Sequence, residues 1–195
     1  MILSNLEIQT ALDEGRLIIV PQPMPRKPEP GVKYCPYDTT AVDLKLHNEI
    51  RVPEGGPFDC DLMEPGILSG FIAKHSKKYT LTDNQPYHLK RNDFILARTL
   101  ERIELPTKQG QPYLAARIEG KSSRSRCGVL VHFTAPTVHA GWSGPLTLEM
   151  VNLGPTTFIL RPGMPIAQLI IEQVYGELVS NPSQFQNQST PEGLP

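Results

Sequence analysis

Apolar and polar positions alternate along most of this chain in short spans, and proline or glycine breaks nearly every one of them. The clear exception is the opening segment. Leu6, Ile8, Ala11 and Leu12 recur at helical spacing, Ser4 stands where an N-cap would, and Glu7 three residues on completes a capping box. A helix over Leu3–Gly15 is predicted, ended by Gly15. Leu17–Val20 then reads as a short buried strand, Thr40–Leu46 as a cleanly alternating one, and Tyr79–Leu81 and Tyr87–Leu89 as short ones. Phe94–Thr99 is longer, and its alternation runs on through Leu100–Leu105 into Pro106. Tyr113–Glu119, Pro145–Asn152, Thr157–Leu160 and Ile166–Glu172 complete the strands, with an apolar run at Val129–Val131 and a tight turn at Ala140–Gly144. Pro21–Pro36 holds six prolines and predicts a long extended loop, and Pro53–Gly70 predicts a second irregular stretch. Many short strands around one helix, with no internal repeat, predict a mostly β chain folded as a sandwich, barrel or jelly roll.

Composition narrows the classes of function. A chain of 195 residues is long enough for one substantial core, expected over 1–179, followed by a polar tail over 180–195. A net charge of −1 excludes bulk electrostatic binding to nucleic acid or to an anionic membrane, so any anion site must be local. No apolar run approaches the about 20 residues of a membrane helix, and Met1–Ser4 carries no charged leader. Three cysteines, an odd number without C-x-x-C spacing, read as reduced thiols. A cytoplasmic protein is expected.

Chemistry concentrates in residues 118–152. Lys121, Ser122, Ser123, Arg124, Ser125 and Arg126 put three cations and three hydroxyls in one short span with no acid, a composition that suits phosphate oxygens. Downstream, Glu149 interrupts an otherwise apolar strand pattern. It is either a solvent-facing strand residue or a general base held on a rigid scaffold.

The runs G-K-S-S-x-x-R, V-H-x-T-A, G-W-S-G and L-E, with 27 positions from Ser122 to Glu149, resemble the dCTP deaminases of the trimeric dUTPase superfamily. The likeness extends to the opening helix with its D-E-G-R-L ending, the A-V-D-L-x-L strand over Thr40–Asn48, the T-L-E segment and the L-R-P-G-M turn at 160–164. It implies a dUTPase-like β-barrel or jelly roll with a short N-terminal helix and a flexible tail. The implied activity is hydrolytic deamination of dCTP to dUTP and ammonia, supplying dUTP for thymidylate synthesis, in a homotrimer with active sites between subunits. It implies no catalytic metal, with Mg2+ arriving on the triphosphate and dTTP a candidate inhibitor. The zinc route to deamination carries H-x-E and C-x-x-C signatures. Here His47-Asn48-Glu49 stands alone, without any C-x-x-C.

The same resemblance assigns roles. Glu149 is the base, Arg126 holds the catalytic water, and Ser122 contacts water and phosphate. Lys121, Ser123 and Arg124 fall in the segment that wraps the triphosphate. Phe133, Thr134 and Ala135 read the pyrimidine edge, Thr147 and Leu148 form the facing wall, and Gln188 is the tail contact. Trp142 is expected to pack its turn, and His132 and Cys127 to be core or near-core residues. The chain departs from its relatives at the proline-rich 21–36 loop, at a longer 106–117 segment and in its shorter tail, where Gln184 replaces the usual lysine. His139 stands where relatives carry the aspartate that contacts the sugar 3′-hydroxyl. A bifunctional deaminase that forms dUMP, a dUTPase, and a non-catalytic nucleotide-binding regulator are the rival readings.

Overall fold

The computed structural model describes residues 1–61 and 66–195, so part of the irregular stretch expected at Pro53–Gly70 lies outside the described residues. The chain is mostly β. Helix α1 spans Asn5–Asp13, and Ser4 caps it by accepting the Glu7 N–H on its hydroxyl at 3.3 Å. Ile8 and Ala11 turn into the core, as their spacing requires.

The strands, in chain order, are β1 (Ile18–Val20), β2 (Tyr37–Asp38), β3 (Ala41–Lys45), β4 (Glu49–Pro53), β5 (Ser76–Thr80), β6 (Tyr87–Leu89) and β7 (Phe94–Glu104). They continue as β8 (Leu114–Gly120), β9 (Val129–Leu130), β10 (Thr137–Val138), β11 (Ser143–Asn152), β12 (Phe158–Leu160) and β13 (Pro165–Gln173). One sheet runs β5-β4-β7-β11-β9, with β1 also paired to β7, and a second runs β10-β8-β13-β3-β2. A two-stranded ribbon pairs β6 with β12. The core fills the space between the two large sheets. Leu44, Ile95, Ile103, Leu148 and Met150 are fully enclosed there.

Two elements depart from the expectation. Ile67–Lys74, read partly as irregular, forms helix α2. Residues 49–53, not read as a strand, form β4. The long strand β7 also contains an irregularity that its own sequence does not announce. Its register with β11 jumps from Arg102 opposite Pro145 to Arg98 opposite Thr147, so residues 99–101 stand opposite Leu146 alone. Thr99 holds the bulge closed. Its hydroxyl accepts the Leu146 N–H at 2.9 Å and donates to the Glu101 carbonyl at 2.7 Å. The bulge turns the Glu101 carboxylate inward, where it accepts the Lys45 N–H at 2.9 Å across to the second sheet. Burial pushes the proton affinity of Glu101 up.

Candidate active site

Strand β11 decides the geometry. Leu146, Leu148 and Met150 point into the core, so the pleat sends Thr147 and Glu149 to the opposite face, where both are half-buried. That face opens on a cavity of about 490 Å³. Leu96 of β7 and Ile118 of β8 form part of its wall, and Ala135–His139 pass along one side. Leu68 and Ile72 of α2 close another side, and Trp142, which packs its turn by donating its indole N–H to the Gly144 carbonyl at 3.0 Å, forms part of the lining. Glu149, Thr147, Ala135, His139 and Gln188, each expected at the site, all line this one cavity. The Leu148 side chain does not, since it is fully buried in the core.

Burial raises the proton affinity of the Glu149 carboxyl, opposed by hydrogen bonding from the Phe133 backbone and by the nearby His132. The segment reaches Glu149 because β9 pairs with the end of β11, Leu130 opposite Val151, which brings Val131–Phe133 alongside. His132, expected in or near the core, is partly buried and approaches the Glu119 carboxylate with Nε2 at 3.3 Å, while its buried Nδ1 has no partner among the described residues. The Phe133 side chain points outward, half-exposed, and packs against Phe94 with ring centroids 5.7 Å apart. Thr134 is exposed outside the cavity lining.

The cationic cluster forms a separate surface. Ser122–Ser125 make a single helical turn, α3, that presents Ser122, Ser123 and Arg126 to solvent, with Arg124 half-exposed. Neither arginine has an acidic partner among the described residues. None of Lys121, Ser122, Ser123, Arg124 and Arg126 lines the Glu149 cavity. The turn is fixed to the end of β11 by two glycines whose backbones cross. A Cβ on Gly154 would stand 1.9 Å from the Cys127 carbonyl oxygen, and one on Gly128, at φ +88, would stand 2.3 Å from the Gly154 nitrogen.

Lys121 behaves differently from its neighbours. Its ammonium pairs with Asp43 of β3, a carboxylate only 3% exposed. Asp43 also accepts the Tyr34 hydroxyl at 2.5 Å, and Tyr34 belongs to the proline-rich loop. Burial and the adjoining carboxylate push the Tyr34 phenol far above its usual range, so it remains a neutral donor. Withdrawing Lys121 toward a phosphate would leave Asp43 buried and charged with one neutral partner, an arrangement that disfavours the move. Lys121 therefore holds the start of α3 against β3.

His47 of the H-x-E run is fully engaged: Nδ1 accepts the Glu49 N–H at 3.2 Å and Nε2 lies 2.9 Å from Arg98 Nη2. No cluster of three or more His, Cys, Asp or Glu with ligand geometry occurs among the described residues.

The tail from Ser183 to Leu194 lies across the cavity as a strap. Gln188 is 4% exposed, and its amide donates to the Pro145 carbonyl at 2.9 Å and the Thr147 hydroxyl at 3.1 Å. Arg102 donates to the Asn187 side chain at 3.0 Å and to the Ser143 hydroxyl at 2.6 Å. Farther along, Glu192 is bound by Arg51 of β4. Neither residue was singled out from the sequence.

The arrangement of two packed sheets is shared with a solved protein structure. The structure matches that of 2′-deoxycytidine 5′-triphosphate deaminase from Agrobacterium tumefaciens with a TM-score of 0.59 at 20% identity. That match covers 87% of this chain and 47% of the Agrobacterium chain. In sequence, the chain is 34% identical over 174 residues to a dCTP deaminase of Rhodospirillum rubrum, covering 88% of this chain and 82% of that one. It is 35% identical over 175 residues to a dCTP deaminase of Thermomicrobium roseum, covering 89% and 80%. The model of the dCTP deaminase-like family matches residues 2–174, and the chain belongs to that family.

Proposed function

We propose that this protein hydrolyses the exocyclic amine of dCTP, giving dUTP and ammonia. The observation that carries the reading is Glu149, a carboxylate of raised proton affinity on a rigid strand, facing a cavity sized for a nucleoside. In the reaction Glu149 takes a proton from water as the oxygen attacks C4 of the pyrimidine. It gives that proton to the ring nitrogen, then takes the second proton from the C4 hydroxyl so formed and passes it to the amine, and the C4–N bond breaks to release ammonia and leave a C4 carbonyl. Mg2+ accompanies the triphosphate as part of the substrate.

The cations need a second source. Among the described residues, no Lys or Arg lines the Glu149 cavity, and the two arginines at α3 have no acidic partner. A homotrimer in which α3 of one subunit faces the Glu149 cavity of the next supplies Ser122 and Arg126 to the water and Arg124 to the phosphates. Purified protein incubated with dCTP and Mg2+ and read by chromatography and ammonia release tests the proposal. dUTP with equimolar ammonia supports it. Direct formation of dUMP, or no product from dCTP, overturns it.

A further inference from the structure

The strap covers the candidate site through several neutral contacts and one ionic one. Glu192 has a side chain 1% exposed and meets Arg51, 15% exposed, through Oε1–Nη2 at 2.5 Å and Oε2–Nε at 3.2 Å. It is the sole charge–charge contact of residues 183–194 among the described residues. A third Arg51 nitrogen, Nη1, approaches the Ala73 carbonyl of α2 at 3.4 Å. One guanidinium thus ties β4, the last turn of α2 and the strap together. Register places it well for that task. Arg51 stands opposite Leu96, which stands opposite Glu149, so Arg51 and Glu149 occupy one row, two strand spacings or about 10 Å apart.

We propose that Arg51 and Glu192 form the latch that sets how much of the time the strap is closed, and that both are positioning residues for the reaction at Glu149. This rests on the deaminase reading. A bidentate guanidinium–carboxylate pair of this burial is favourable only when both groups are in place, and removing either leaves the other buried and unpaired. Gln188 and Pro191 line the cavity from the same strap, so its closed fraction is also the fraction of molecules with a complete roof. Nucleotide that needs the roof binds more weakly by that fraction, whereas turnover of the closed complex does not change.

The test compares Glu192→Gln, Arg51→Met and the double variant. Hydrogen exchange in the free protein reads the latch, most directly through the Asn187 amide, which donates to the Ser143 carbonyl of β11 at 2.8 Å when the strap is docked. Each single variant is expected to speed exchange across 185–193 at least about tenfold, and the double variant to exchange no faster than either single one. KM for dCTP should rise by a similar factor while kcat stays within about twofold. Unchanged exchange in Glu192→Gln, or additive effects in the double variant, overturns the latch. Faster exchange with unchanged KM overturns the positioning role. If Arg51→Met fails to fold, Glu192→Gln alone still decides the exchange result. If the wild type turns over no dCTP, the deaminase reading falls and the exchange measurements decide the latch by themselves.

Discussion

Glu149 sits where burial favours its neutral form, so its ability to act as a base depends on pH in a defined direction. A base works deprotonated, and a raised pKa means activity falls as pH drops through a value above the ordinary glutamate range. The acid limb of kcat/KM should lie there, and a limb at or below the ordinary range would contradict the assignment. Glu149→Gln should lower kcat at least about 100-fold while nucleotide affinity changes only a few-fold. Near-normal turnover in that variant would remove Glu149 from the chemistry. Lys121 carries a different expectation from its arginine neighbours. With Asp43 buried beneath it, Lys121→Met should lose about 3 kcal/mol of stability in urea unfolding, and Asp43→Asn in the same chain should recover part of it. A variant of unaltered stability with a raised KM only for triphosphate would return Lys121 to the phosphate ligands.

The helices and strands differ in how far their own residues announce them. α1 was legible because its cap and apolar face are local, and β11 and β13 because alternation survives wherever one sheet face is covered. α2 was not, since the glycines and prolines of Pro53–Gly70 read as an irregular stretch that overlaps its first turn. The β7 bulge escaped because it exists only in the register between β7 and β11, which neither strand's own pattern carries. In the site, Glu149 stood out as a misplaced charge, and motif spacing brought the α3 residues forward. Arg51 and Glu192, 141 positions apart, meet only through the fold. The Gly128–Gly154 crossing belongs to this scale as well. Gly154→Ala should cost about 2 kcal/mol and lower Tm by roughly 5 °C, because the added methyl has no room. Gly55→Ala, with nothing within 4 Å, serves as the control and should leave Tm unchanged.

At the scale of the whole molecule, the proposed division of the site between neighbouring subunits has a direct test. Glu149→Gln protein and Arg126→Ala protein should each be nearly inactive, and mixing them under conditions that exchange subunits should restore part of the activity. Each mixed trimer then contains one interface where an intact Glu149 meets an intact Arg126. No recovery after demonstrated exchange would place both residues in a single subunit's site. The roof over the cavity adds a consequence of another kind. Glu149 and Thr147 are anchored in the sheet, but Leu68 and Ile72 come from α2, and Gln188 and Pro191 from the strap. None of those four belongs to either large sheet. Replacing α2 and the strap with shorter or bulkier segments could therefore resize the chamber while Glu149 keeps its place. Selection, natural or in the laboratory, can thus diversify what the molecule accepts without rebuilding how it reacts.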